Sequence, residues 1–529
     1  MGNKKLQVAL PLLLAVILTA GMWIGFKLKE STSGGMAFLS NNRKSSLQEI
    51  LDLVKNKYVD NLPSDSINDA VIEDVLAHLD PHSVYIPAKN LMEVNEDLQG
   101  NFQGIGVEFQ IFNDTVNVLN VLAGGPSAKA GVEIGDKIIA VNDTTKIAGV
   151  KFKADNIRKL LRGPGGSAVN ITVIRDHQPK KIQIVRGTIP VPSVDVAYML
   201  TPQTGFIRIN KFSETTYEEF MHSLEGLQKQ GLKSLIVDLR GNGGGILQEA
   251  ADIADEFLDD QKMIVYTKGS NSPSFEYRCK RDGLFEKGKL AVLVDETSAS
   301  ASEILAGALQ DWDRATIIGR RTFGKGLVQQ QFQLTDGSAL RLTIARYYTP
   351  LGRNIQKPYN KGKEEYEQEL IHRFHDGEVV VGDTSKPKGQ AYKTPGGRLV
   401  YGGGGITPDI FVAFDTTSQP KEITQLYLKG TISNFVYNYF IDNKAALQKY
   451  TTPATFEKQF TPGEAEWLQL VNYAKKDSVD LSKVPQAAKT EMLKRLEALI
   501  ARQIWRTEGY FEVNNLTDPM ITKALDTVK

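Results

Sequence analysis

Apolar and polar positions follow different periods in different parts of the chain. From residue 43 to about 98 apolar residues recur three and four apart. In SSLQEILDLVKNKYVD they fall at Leu47, Ile50, Leu51 and Val54, and INDAVIEDVLAHL repeats the pattern. That spacing predicts amphipathic helices, here a helical module over 43–98. From 99 to 186 the period shortens. Runs such as Thr115–Leu122, Lys137–Val141 and Val169–Ile174 alternate with Gly and Pro turns, with one helix near Phe152–Leu161 between them. This predicts a compact β-rich domain. From 187 to 415 apolar strands (GFIRINKF, SLIVDLR, KLAVLVDE) alternate with helices (TTYEEFMHSLEGLQKQG, GILQEAADIADEFL, SEILAGALQDW). Near-continuous apolar strands are buried on both faces, so this region should be a layered α/β core. Within it, residues 357–400 are charged and rich in Gly and Pro and read as a surface excursion. The pattern turns helical again over 416–529, where AEWLQLVNYAKKD and KTEMLKRLEALIARQIW carry apolar stripes. Those stripes either pack on the core or form a homodimer interface.

The first 29 residues obey neither period. After Lys4 and Lys5, Leu6–Phe26 carries no charge. A run of that length can cross a hydrocarbon core of about 30 Å as a helix. The preceding lysines favour a cytoplasmic N-terminus. The segment reads as an uncleaved membrane anchor, with a cleaved signal peptide as the alternative. Residues 30–42, including STSGG, read as a linker, which places the rest of the chain in the cell envelope, outside the cytoplasm. Composition adds only exclusions. The 529 residues include 63 basic and 62 acidic side chains, so nothing resembles the basic excess that binds nucleic acid. The single cysteine, Cys279, leaves no intrachain disulfide and no Cys-rich metal site. No metal and no cofactor is expected.

Candidate chemistry gathers in DETSASASEILAG (Asp295–Gly307), where a buried strand runs into a helix. Ser300 and Glu303 fit a helix capping box, which is the structural reading. The strand-to-helix turn can also expose a serine hydroxyl as a nucleophile, with helix N-terminal amides available to an oxyanion. A nucleophilic serine needs a base. His78, His82, His177, His222, His372 and His375 lie in helices, a turn or the charged excursion, and none is placed to face Ser300. Lys325 in TFGKGLVQQ is the other possibility, against a plain surface lysine in a turn. A free lysine amine, at about 10.4, is neutral in roughly one molecule in 2,500 at pH 7. Bringing it to about 7 takes a differential environment of about 4.6 kcal/mol, which apolar burial can supply. DLRGNGGG (Asp238–Gly245) follows a buried strand and reads as an anion-cradling loop or a tight turn. It lacks the Lys-Ser/Thr of a nucleotide-binding loop.

Together these segments resemble the carboxyl-terminal processing peptidases, serine endopeptidases with an inserted PDZ domain. SASASEILAGALQDWDRATIIGRRTFGKGLVQ resembles the family's catalytic block, LDPHSVYIP its segment before the PDZ domain, and YGGGGITPDI its closing core motif. The resemblance implies Ser300 as nucleophile, Lys325 as base and Gln329 as the residue holding the lysine amine. It further implies an oxyanion hole from the Ala301 amide and a glycine amide, Gly244 in preference to Gly243. His82 becomes structural, and Asp311 either a sensitive acid or a helix-end salt bridge. It implies a ClpP/crotonase-like layered core. FQGIGVEF resembles a PDZ carboxylate loop, so Gly104, Ile105, Gly106 and Val107 would bind the C-termini of protein substrates. Arg162 would link the PDZ domain to the core. Two other readings compete: a non-catalytic, membrane-tethered PDZ scaffold on a dead core, and acyl-CoA chemistry on a crotonase-like fold. The intact Ser300, Lys325 and Gln329 set speaks against the first, and the PDZ domain against the second.

Overall fold

The computed structural model describes residues 15, 17–23, 45–60, 64–112, 114–382, 389–416 and 420–529. Most of the Leu6–Phe26 run and the whole 30–42 linker lie outside them. Among the described residues no helix is long and apolar enough to cross a membrane. Residues 1–72 and 73–529 form two compact units. The first contains the helix Ser46–Lys57, started by Ser45, whose Oγ accepts the Gln48 N–H at 3.3 Å.

The second unit is built on a six-stranded sheet ordered Val194–Met199, Thr204–Ile209, Ser234–Asp238, Lys289–Val294, Thr316–Gly319, Ile410–Phe411. The first pair is antiparallel and the remaining pairs are parallel. Ser234–Asp238 and Lys289–Val294 lie inside it, as their unbroken apolar runs require. One face buries the helices Thr216–Lys229, Leu247–Asp255 and Ala301–Asp311 in a large apolar core. The other face carries Ile236, Leu293 and Ile318, covered by Met520, Ile521 and Ala524 of the last helix, Pro519–Val528. Part of the C-terminal extension thus packs on the core. The helices before it bury Phe435, Trp467, Leu470, Met492 and Leu496 in a core of their own.

A second sheet pairs Val84–Ile86, Ala339–Tyr348, Met263–Lys268 and Phe275–Arg278, with Leu327–Gln333 added to Ala339–Tyr348. The expectation of helices throughout 43–98 therefore fails at Val84–Ile86. Its register with core residues 339–341 makes it a strand. The β-rich domain is an insertion. Asn101–Gly104 pairs with Gly187–Pro190, so the chain enters and leaves side by side. Inside, the strands run in the order Val107–Phe112, Thr115–Val121, Lys137–Val141, Ala168–Arg175, Gln178–Val185. The helix Ala154–Leu161 buries Ile157 and Leu161 in that domain's core. Val107–Phe112 is an edge strand, paired among the described residues only with Thr115–Val121.

The 357–400 segment is more than a surface excursion. Its helix Lys363–His375 buries Tyr366 and Arg373. The Arg373 guanidinium donates to the carbonyls of Arg321, Thr322 and Phe323. The excursion therefore braces the loop that leads to Lys325.

Candidate active site

The strand Lys289–Val294 ends beneath the N-terminus of the helix Ala301–Asp311, and Ser300 is the turn between them. Its backbone sits at φ 55° and ψ −112°. For a non-glycine residue this is strained, and such strain persists only where neighbours hold it. The Ser300 side chain makes no capping hydrogen bond. Only the return arm of the capping box is made: the Ser300 N–H donates to Glu303 Oε2 at 2.9 Å. Ser300 thus stands half-buried at a sharp strand-to-helix turn.

Glu303 is what the sequence reading underrated. It is fully buried and accepts four hydrogen bonds. Oε2 takes the amides of Ser300 and Lys325, the latter at 2.8 Å. Oε1 takes the Gly324 amide at 2.7 Å and the Thr322 hydroxyl at 2.5 Å. Burial holds the Glu303 pKa above the ordinary carboxylate value, and the four donors offset only part of that rise. One side chain therefore fastens the Ser300 turn to the Lys325 loop. Tyr347, also buried, does so from the other side: its hydroxyl donates to the Lys325 carbonyl at 2.5 Å and lies 3.2 Å from that of Ser300. The S-x-x-E spacing could have flagged Glu303. Nothing local marks Tyr347, which arrives on the strand Ala339–Tyr348.

Burial holds the Lys325 amine below its ordinary pKa, and the Arg341 guanidinium adds to this. The Glu303 and Asp80 carboxylates oppose it. The same burial pulls His82 down to about 4, with Lys325 contributing. A neutral His82 ring hydrogen-bonds the Tyr366 hydroxyl at 2.8 Å. Asp80 organises LDPHS, accepting from the His82 and Ser83 amides and from Thr343 Oγ1. Gln329 donates to Thr343 Oγ1 at 3.3 Å. Among the described residues it makes no hydrogen bond to the lysine amine it was expected to hold.

Gly244 packs directly against Ser300. A Cβ there would lie 2.6 Å from the Ala299 oxygen and 2.7 Å from Ser300 Cβ, on a backbone at φ +97°. Only glycine fits. In this conformation, however, the Gly244 N–H donates to Asn242 Oδ1 at 2.8 Å and is not free for an oxyanion, as the sequence reading expected. The Ala301 N–H has no partner among the described residues.

Asp311 makes a salt bridge. It pairs with Arg353 at 2.5 Å, both side chains fully buried, and accepts the Leu351 amide. Arg162 lies 3.5 Å from Glu96 and stacks on Phe102, tying the PDZ domain to the helix Ala88–Gln99. Burial lifts the Cys279 thiol to about 12, in keeping with a filler residue. In the loop between Asn101–Gly104 and Val107–Phe112, Gly106 has φ +74°. The carbonyls of Ile105 and Gly106 accept from Ser127 and Leu122. Their N–H groups have no partner among the described residues, which is the arrangement of an anion nest. Among the described residues no group of His, Cys, Asp and Glu could hold a metal ion.

Fold and site together define a serine-type peptidase carrying an inserted PDZ domain. The comparisons with known proteins agree. Residues 203–363 match peptidase family S41, residues 103–185 a PDZ domain, and residues 423–506 a family of unknown function (DUF8443). The chain is 33% identical to a probable CtpA-like serine protease of Staphylococcus haemolyticus, over 72% of this chain and 78% of the relative. It is 34% identical to a carboxy-terminal-processing protease of Bartonella bacilliformis, over 64% of this chain and 78% of the relative. Among solved structures it is similar to a photosystem II D1 C-terminal processing protease. The identity there is 26% and the TM-score 0.37, covering 70% of this chain and 86% of that one. It is also similar to the PDZ domain of a Vibrio cholerae carboxy-terminal protease solved with a peptide. That match has 31% identity and a TM-score of 0.16, covering 17% of this chain and 97% of that one. The chain belongs to peptidase family S41, and it is a carboxyl-terminal processing serine peptidase.

Proposed function

We propose that Ser300 is the nucleophile and Lys325 its general base in the cleavage of tails presented by the PDZ domain. The observation that carries this is the convergence of the Ser300 and Lys325 amides on one buried carboxylate oxygen, Glu303 Oε2. The neutral Lys325 amine accepts the Ser300 hydroxyl proton as Oγ bonds to the scissile carbonyl carbon. The resulting ammonium returns that proton to the leaving amine, and the peptide C–N bond breaks to leave an ester on Ser300. Water, deprotonated by the same lysine, hydrolyses the ester. The oxyanion takes the Ala301 N–H and, once it leaves Asn242 Oδ1, that of Gly244. Gln329 reaches the lysine amine when it lets go of Thr343.

The substrate's last residue sits at Gly104–Val107, its carboxylate against the Ile105 and Gly106 amides, and its backbone extends the edge strand Val107–Phe112. The Leu6–Phe26 run holds the body outside the cytoplasm. Protease protection of the chain in spheroplasts tests that placement: digestion of the body by added protease is the expected result, and protection would refute it. The catalytic roles are tested with a peptide bearing an unstructured tail, products being read by mass spectrometry. Ser300→Ala and Lys325→Ala should each abolish cleavage while the circular dichroism spectrum is kept. Cleavage at the parental rate in either variant would refute the assignment.

A further inference from the structure

The groove beside the PDZ edge strand is not made by the PDZ domain alone. A cavity of about 610 Å³ lies along Val107–Phe112, between that strand and the helix Ala154–Leu161. Its opposite wall comes from the C-terminal helical region. Ser433 and Val436 are on the helix Thr431–Asp442, and Leu499, Arg502, Gln503 and Arg506 on the helix Gln486–Asn514. The two regions are fastened at this seam. The Phe112 and Tyr437 rings meet at 5.1 Å. The Arg506 guanidinium holds both oxygens of Glu108, one at 2.7 Å.

The charge on these walls is one-sided. Arg158, Arg162, Arg502 and Arg506 line the cavity against a single carboxylate, Glu108. Arg158 is occupied by Asp155 and Arg162 by Glu96. Arg502 is exposed and has no partner among the described residues. Arg506 is committed, but weakly, because both members of its pair with Glu108 are about half exposed. Such pairs contribute little in solvent and exchange readily. Arg506 also stands where the helix breaks, at φ 65° and ψ −148°. Strained backbone of this kind gathers at ligand clamps.

Resting on the reading of the PDZ domain as the tail-binding site, we infer that the C-terminal helical region is its second wall and that Arg502 and Arg506 select tails with acidic residues upstream of the terminal carboxylate. The apolar floor (Ile105, Val107, Leu161) takes the last side chain. The preceding residues run along the edge strand and face the two arginines. An Asp or Glu there replaces Glu108 on Arg506 and gives Arg502 the partner it lacks.

The test uses the full chain carrying Ser300→Ala and fluorescence anisotropy with three labelled peptides. Two share an apolar C-terminal residue with a free carboxylate and differ only in two upstream positions, Asp-Asp or Asn-Asn. The third is the Asn-Asn peptide with an amidated C-terminus. The Asp-Asp tail should bind about tenfold more tightly than the Asn-Asn tail, since each exposed ion pair is worth up to about fivefold. Arg502→Gln with Arg506→Gln should reduce that preference below about twofold. Glu108→Gln should tighten the Asp-Asp tail selectively. Arg502→Gln alone alters only an exposed, unpaired side chain, so it reads the effect even if the Arg506 variant fails to fold. Equal affinity for the two free tails, or a preference that survives both substitutions, overturns the inference and leaves the PDZ reading standing. Unchanged binding on amidation overturns the PDZ reading itself, and this inference with it. Tail affinity that falls as a dimer forms would assign the groove to a second copy and overturn it too.

Discussion

Glu303→Gln tests how far one carboxylate organises the active site. The substitution changes shape hardly at all but replaces one acceptor oxygen with a donor. Whichever oxygen is lost, two donors are left facing an NH2 group: Ser300 and Lys325 amides on one side, the Gly324 amide and Thr322 hydroxyl on the other. A buried donor left unsatisfied costs about 1–3 kcal/mol, so the pair costs about 2–6 kcal/mol. The Thr322 hydroxyl can rotate and backbone amides cannot, so the low end of that range requires the NH2 on the Thr322 side. Urea unfolding should show this loss. A domain with about 5–15 kcal/mol of stability survives most of it, and the surviving population should acylate roughly 100-fold more slowly as the two loops separate.

A merely destabilised protein would show those effects without any change in pH dependence. Here the charge matters as well. Glu303 raises the Lys325 pKa against its burial, so removing the carboxylate lets the lysine lose its proton at lower pH. The rising limb of the single-turnover rate, measured on the folded fraction, should therefore move to lower pH. A variant that acylates within about threefold of the parent, its limb unmoved, would refute the bridging role; the 100-fold loss expected of misplaced loops sets that margin.

Three further outcomes follow from the same geometry. Arg341→Gln removes a cation that holds Lys325 down, so the rising limb should move to higher pH; a shift to lower pH would contradict the electrostatics. Gly244→Ala drives a methyl to 2.6 Å from the Ala299 oxygen at φ +97°. It should cost about 2–4 kcal/mol in thermal unfolding and nearly abolish labelling of Ser300 by a serine-reactive phosphonate; normal labelling would argue against that packing. Burial would raise the Glu369 carboxyl, but Arg373 and Lys357 overcome it and hold it at about 2. The folded pKa is below the unfolded one, so this stability is complete above about 4.5 and is lost as pH falls towards 2. Glu369→Gln should be less stable at neutral pH and flatter across that window; parallel curves for parent and variant would exclude the linkage.

Much of this protein is legible along the chain because the relevant physics is local. Helical spacing, alternating strands and the two apolar runs of the core sheet each reflect a single element's exposure. The turn at Ser300 follows from a strand running straight into a helix, and the free amides of Ile105 and Gly106 from the glycines around them. Where local patterns misled, a distant partner was responsible. Val84–Ile86 is too short to announce itself as a strand until Ala339–Tyr348 pairs with it. The charged 357–400 segment looked solvent-bound because its arginine's partners are carbonyls forty or more residues away.

The sequence by itself singled out the candidate residues: a serine at a strand-to-helix turn and a lysine among apolar neighbours. Only the tertiary structure decided what surrounds them. Burial depends on packing from the whole fold, and with the Arg341 cation it makes the lysine easier to deprotonate. Hydrogen bonds between segments 22 or more residues apart tie the serine to the lysine through Glu303 and Tyr347. The ion pair that joins the PDZ edge strand to the C-terminal helical region links Glu108 to Arg506, 398 residues further on. No pattern within either segment could have announced it.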